Sequence, residues 1–139
     1  MKYSILLLLL APVAPADTLT PEQQLGRKLY EDANLSLNRN QSCATCHSLA
    51  PVSGTPATPG FVDPVNVTRG TPVSAGSVPG RSGSLNTPSA GYAAFSPAFH
   101  WDKKEKHFAG GQFWSGRAAT LAEQAMAPFL NPVEMAMPS

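Results

Sequence analysis

Leu25, Leu29 and Ala33 recur at i, i+4 and i+8, which makes one apolar stripe along a helix. Ahead of them, Thr20-Pro21-Glu22-Gln23 supplies a capping box with proline at the first helical position. The spacing predicts a helix from there to about Asn34. Thr120-Leu121-Ala122-Glu123 is a second capping box, opening a helix that Pro128 is expected to end. Asn131-Pro132-Val133-Glu134 reads as a further helix start, with barely a turn of sequence before Ser139. A short helix is expected to carry residues 43–47. Between the outer helices, residues 51–97 hold 8 Pro and 7 Gly, which predicts loop in place of regular structure. No alternating apolar run is long enough to predict a sheet, so the predicted fold is all-α.

One apolar run has no periodicity at all. Ile5 to Leu10 follows the basic Lys2 and precedes Ala14-Pro15-Ala16, an A-x-A cleavage site. The run is too short to span a bilayer, and prolines follow it. Residues 1–16 therefore read as a signal peptide and residues 17–139 as the exported domain, one domain at this length. Export implies a periplasmic location and no membrane attachment after cleavage. The whole chain has 10 basic and 9 acidic residues, and Lys2 leaves with the leader. The remainder is balanced, with no basic patch to suggest nucleic acid or anionic lipid as a partner.

The only two cysteines lie in Cys43-Ala44-Thr45-Cys46-His47, the spacing of a c-type haem attachment site. In such a site both thiols form thioethers with the haem and the histidine ligates the iron. Half a zinc site, a redox pair and a simple disulfide are the alternatives. The first would need His100 and His107, and the second a β-α-β pattern that the chain does not show. With one covalently bound haem c, the domain is expected to be a small cytochrome c-like haem domain with long Pro/Gly-rich loops. Those loops would pack on the macrocycle as on a core. A disordered linker over residues 55–84 is the other reading of the same composition.

The order of segments then carries a resemblance. Leu25-Gly26-Arg27-Lys28-Leu29-Tyr30 and the haem motif precede Asn86-Thr87-Pro88-Ser89. Gly111-Gln112-Phe113-Trp114-Ser115-Gly116-Arg117-Ala118, Leu121-Ala122-Glu123-Gln124-Ala125 and Asn131-Pro132-Val133-Glu134-Met135 follow. The series resembles the N-terminal haem domain of the bacterial di-haem cytochrome c peroxidases and their MauG-like relatives, over nearly all of the exported chain. In that family this haem reacts with peroxide. The resemblance implies that His47 is its proximal ligand and that Cys43 and Cys46 are its anchors. It implies that Glu134 and Gln124 line the distal face, that Trp114 lies on the electron path, and that Asn86 stands near a calcium site.

The residues alone allow plainer roles. Glu134 can be an N3 cap, Gln124 a solvated helix residue and Trp114 a packing aromatic. As a carboxylate among Ala, Met, Pro and Val, Glu134 also suits general acid–base work on peroxide. Arg117 is a fixed cation suited either to a haem propionate or to a surface ion pair.

Two departures from the family pattern matter. The stretch Ala75-Gly76-Ser77-Val78-Pro79-Gly80 has no histidine where the family's distal ligand would stand. An open or weakly ligated iron is expected, with His100 or His107, in what looks like an insertion over residues 97–108, as the candidate sixth ligand. Solvated loop is their plainer reading. There is also no second Cys-x-x-Cys-His, so the second haem domain is expected to be absent, the chain truncated and calcium short of ligands. The expected function is a periplasmic peroxidase reducing hydrogen peroxide with electrons from a small donor protein, of cytochrome c or cupredoxin type. The alternatives are a mono-haem electron carrier, with Met126, Met135 or Met137 on the iron, and an inactive fragment. MauG-like oxidation of a protein side chain is a further task that the resemblance allows.

Overall fold

The computed structural model describes residues 19–49 and 62–139. The expected leader and the first part of the Pro/Gly-rich stretch lie outside the described residues. Helix α1 (Pro21–Glu31) begins as its capping box predicts. The Thr20 hydroxyl accepts the Gln23 N–H at 3.3 Å, and the Gln23 side chain accepts the Thr20 N–H at 2.9 Å. The helix stops short of Asn34 because Asp32 turns extended and its carboxylate accepts the Asn34 N–H at 2.9 Å. A 3₁₀ turn over Ala33–Leu35 follows.

Helix α2 (Cys43–Cys46) is a single turn. Helix α3 (Pro64–Arg69) lies inside the stretch expected to be loop. Its grammar is that of α1: Asp63 caps it, accepting from Val65 N–H at 2.8 Å and Asn66 N–H at 3.2 Å, and proline takes the first position. Helix α4 (Leu121–Leu130) runs through Pro128 instead of ending there. Proline this late removes only the N–H that would reach the Gln124 carbonyl, so two more residues still fit.

The all-α expectation is overturned. Among the described residues the helices have only 11, 4, 6 and 10 residues, and strands β1 (His100–Asp102) and β2 (His107–Ala109) form an antiparallel two-stranded sheet. Strands of three residues are too short to display alternation, which is why the sequence pattern missed them. Local contacts make the hairpin instead. Asp102 accepts the Lys104 and Glu105 N–H groups at 2.8 and 3.0 Å, and Trp101 faces Phe108 across the strands with ring centroids 5.0 Å apart. The helix expected from Asn131 is a turn. The Asn131 carbonyl accepts from both Glu134 and Ala136 N–H at 3.0 Å, and Ala136 enters the left-handed region at φ 57°.

Among the described residues, Ala118 and Met135 are the buried hydrophobic side chains, while Ser36, Gln41, Ser42, Asp63 and Ser77 are buried polar ones. Polar turns therefore fix much of the geometry. The Ser36 hydroxyl donates to the Ala33 carbonyl and accepts from the N–H groups of Asn40 at 3.1 Å and Gln41 at 3.0 Å. The Gln41 amide in turn donates to the Ala75 carbonyl.

Ser36→Ala strips the acceptor from two N–H groups of that turn and is expected to cost about 1–3 kcal/mol. Thermal unfolding of the haem-loaded protein checks it, and an unchanged Tm would show that the turn stands without the hydroxyl. Gly116 sits at φ 66°, where a Cβ would meet the Phe99 ring at 2.7 Å. Gly116→Ala is expected to destabilise by more than about 1 kcal/mol, read from the same melts.

Candidate haem site

On the single turn of α2, Cys43 and Cys46 are three residues apart and share a face. Neither forms a disulfide. The turn is closed by the Ser42 N–H donating to Thr45 Oγ1 at 3.0 Å and by the His47 N–H donating to the Cys43 carbonyl at 2.8 Å. His47 then leaves the helix at φ −125°, ψ 65°. From α1, the Tyr30 hydroxyl donates to the His47 carbonyl at 2.6 Å and ties the two helices at the histidine itself.

Burial pushes the Tyr30 hydroxyl up to about 12, with Cys43 and Cys46 adding to the effect. Burial likewise pushes the Cys46 thiol up to about 11. A Ser74 hydrogen bond opposes that rise, and Asp63, Glu134 and Cys43 reinforce it. Cys43 is raised by burial as well.

Glu134 rides on the turn that follows α4. Its carboxylate accepts from Asn131 Nδ2 at 2.7 Å. Burial raises its pKa above the ordinary carboxylate value, against the lowering effects of the Asn131 bond, Arg117 and His47. Arg117 and His47 act electrostatically on Glu134, and Glu134 in turn on Cys46. Gln124 is half-buried on α4, and its side-chain amide makes no hydrogen bond among the described residues.

Residues 112–118 form a closed loop, with the Gln112 N–H donating to the Ala118 carbonyl at 2.8 Å. Phe113 sits in the left-handed region at φ 62°, an unusual place for a bulky side chain. That backbone brings its ring under the Arg117 guanidinium, 3.4 Å from carbon to centroid. The loop thus holds a cation in place while Trp114 stays exposed, its indole N–H donating to the Asn86 carbonyl at 2.9 Å.

Two further sets of expected residues have local partners of their own. His100 and His107 are exposed on the hairpin, each ring Nδ1 paired with a local carbonyl, that of Ala98 at 2.8 Å and that of Glu105 at 3.3 Å. Asn86 borders a small cavity with Val62, Asp63, Asn66 and Thr87. Most oxygens there are committed: Asp63 Oδ1 caps α3, Asn66 Oδ1 accepts from Thr71, and Thr87 Oγ1 bonds Ser74. Asp63 Oδ2 and Asn86 Oδ1 remain, well short of the roughly six to eight oxygens that calcium takes. The donor set does not fit a calcium ion.

A haem does fit. Leu25, Leu29, Val65, Met126 and Leu130 are all exposed, while the buried hydrophobic side chains among the described residues are only two. A macrocycle covalently held at α2 would give such side chains an apolar surface to cover. The sequence reading missed Tyr30, whose partner is a backbone carbonyl 17 residues away, and also Ser74, Asn38, Asn40 and Ser77. No motif marks bonds of that kind.

A family model described as di-haem cytochrome c peroxidase matches residues 20–139. The methylamine utilization protein MauG of Paracoccus denitrificans is 50% identical over 114 residues, which cover 82% of this chain and 27% of that protein. The cytochrome c peroxidase Ccp of Escherichia coli is 39% identical over 115 residues, covering 83% of this chain and 19% of its own. The crystal structure of the diheme peroxidase BthA from Burkholderia thailandensis matches with a TM-score of 0.69 at 35% identity, over 84% of this chain and 26% of that one. The chain spans about a quarter or less of the length of these relatives. It belongs to the di-haem cytochrome c peroxidase family.

Proposed function

We propose that this chain is the peroxide-reacting haem domain of a periplasmic peroxidase, converting hydrogen peroxide, two protons and two electrons from a small donor protein into two waters. What supports the reading is Glu134, a half-buried carboxylate held by Asn131 Nδ2 at 2.7 Å and raised by burial above its ordinary value. Cys43 and Cys46 would hold a haem c covalently and His47 would ligate its iron, which supplies the redox centre. The family assignment supports that cofactor. The apolar run over residues 5–10 and its A-x-A site support export.

The chain's own residues then have separate tasks. Peroxide cleavage needs a proton removed from one oxygen and delivered to the other. Glu134 does both, because a carboxylate titrating nearer to working pH gives and takes protons more readily. Asn131 aims it by holding one carboxylate oxygen at 2.7 Å. The unbonded Gln124 amide is available to orient the peroxide. Arg117, fixed over Phe113, would be the cation to pair with a haem propionate. Trp114, exposed and tethered by its indole N–H, lies on the route by which electrons enter.

Replacing Cys43 and Cys46 together by Ala is expected to leave no haem on the polypeptide after denaturing electrophoresis. Retained haem staining would refute thioether attachment. Glu134→Gln is expected to slow the reaction of the haem-loaded protein with peroxide by about 10²–10⁴-fold. The pH dependence has a definite sign. The proton-accepting form is the carboxylate, so the wild-type rate rises with pH through an inflection that burial places above the ordinary carboxylate range. Glu134→Gln is expected to erase that inflection, and a profile unchanged in the variant would remove Glu134 from the role.

A further inference from the structure

Glu134 makes one side-chain hydrogen bond, to Asn131 three residues before it. That bond moves with the turn and cannot place the turn. The backbone of residues 131–137 is tied to α4, where the Met135 and Met137 N–H groups donate to the Pro128 carbonyl at 3.2 Å and the Phe129 carbonyl at 2.7 Å, and also to segments remote in sequence. The Ser77 N–H donates to the Glu134 carbonyl at 2.7 Å, and the Leu37 N–H donates to the Met135 carbonyl at 2.8 Å.

Ser77 itself has no exposed surface. Its hydroxyl donates to Asn40 Oδ1 at 2.7 Å and accepts from the Asn38 N–H at 3.1 Å. Its carbonyl accepts from Asn38 Nδ2 at 2.9 Å and Asn40 Nδ2 at 3.0 Å. Every polar atom of the residue is used, and each one points to a different segment from its own. The approach is also as close as backbone allows. A Cβ at Gly76 would stand 2.6 Å from the Val133 carbonyl oxygen, so only glycine lets residues 74–77 lie against the turn.

We propose that Ser77, Asn38 and Asn40 are the positioning residues of the proton-transfer group: they clamp the turn that carries Glu134 and so fix where its carboxylate stands. The proposal rests on the acid–base reading of Glu134. The clamp occupies the stretch of the loop in which the sequence has no histidine. In this chain that stretch holds the carboxylate's turn by hydrogen bonds.

The test uses haem-loaded protein with Ser77→Ala, Asn40→Ala and each combined with Glu134→Gln. Asn40 is exposed, so Asn40→Ala keeps the test open if Ser77→Ala fails to fold. Two quantities are read: the rate of the peroxide-dependent absorbance change, and amide hydrogen exchange at Ser77 and Leu37. Asn40→Ala is expected to slow the peroxide reaction about tenfold or more and to speed exchange at both amides. It is expected to add nothing in the Glu134→Gln background, because residues acting through one group are non-additive. A purely structural residue would slow both backgrounds alike, and that result overturns the proposal. So do wild-type rates in Ser77→Ala and Asn40→Ala when Glu134→Gln is slow, which would leave the acid–base reading standing. A Glu134→Gln variant as fast as wild type overturns that reading first and the clamp with it.

Discussion

The hydrogen bonds around Ser77 are the constraint on which the other distances depend. Three stretches of chain meet there: the turn after α1, the loop that precedes Asn86, and the turn after α4. In most domains of this size apolar packing would hold such segments together. Here Ala118 and Met135 are the buried hydrophobic side chains among the described residues, and buried serines, a glutamine and an aspartate take up the task of registration. A polar network can do this only when it is complete, because an unpaired buried group costs about 1–3 kcal/mol. It is complete: no buried side-chain nitrogen or oxygen among the described residues lacks a partner. Hydrogen bonds are also directional, so a network of this kind fixes position more tightly than a few apolar contacts would.

Desolvation at the pocket has one physical cause and three chemical consequences. It raises Tyr30, whose hydroxyl donates to the His47 carbonyl. It raises Cys46 and Cys43, disfavouring their thiolates further. It raises Glu134, which moves a carboxylate toward the pH at which proton exchange is efficient. The burial that would suit these side chains to an apolar macrocycle is the same burial that raises the Glu134 carboxylate.

The parts legible in the sequence are those whose bonds are local. The Thr20 box, the Thr120 cap and the single turn of Cys43–Cys46 each depend on groups within four residues, and each stands where the spacing put it. Asp63-Pro64 carries the same signal as Thr20-Pro21, yet it was submerged in the Pro and Gly around it. The Asn131 turn misled for the opposite reason. Asx and proline at a helix start are compatible with a turn too, and contacts from Ser77 and Leu37, far off in the chain, decide between them. The hairpin was hidden because three-residue strands have no period to read. Of the candidate site, residue types and family motifs could name Glu134 and His47. Nothing local could name Tyr30, Asn38, Asn40 or Ser77, whose partners are between 17 and 39 residues away.

The segment that looked like an insertion is built into the site's support. The Phe99 ring lies where a Cβ on Gly116 would collide with it, at 2.7 Å, so it packs directly under the loop that bears Trp114 and Arg117. Phe99 stacks on Phe108 at 5.2 Å, and Phe108 meets Trp101 edge-on at 5.0 Å. The Ser96 hydroxyl and the Pro97 carbonyl bond the same loop through Gly111, at 2.9 and 2.8 Å. The left-handed Phe113 that brings its ring beneath Arg117 costs of order 1–3 kcal/mol and persists only where neighbours enforce it. Those neighbours are the hairpin and its flanks. The segment with no counterpart among the motif strings thus packs against the loop that bears Arg117 and Trp114.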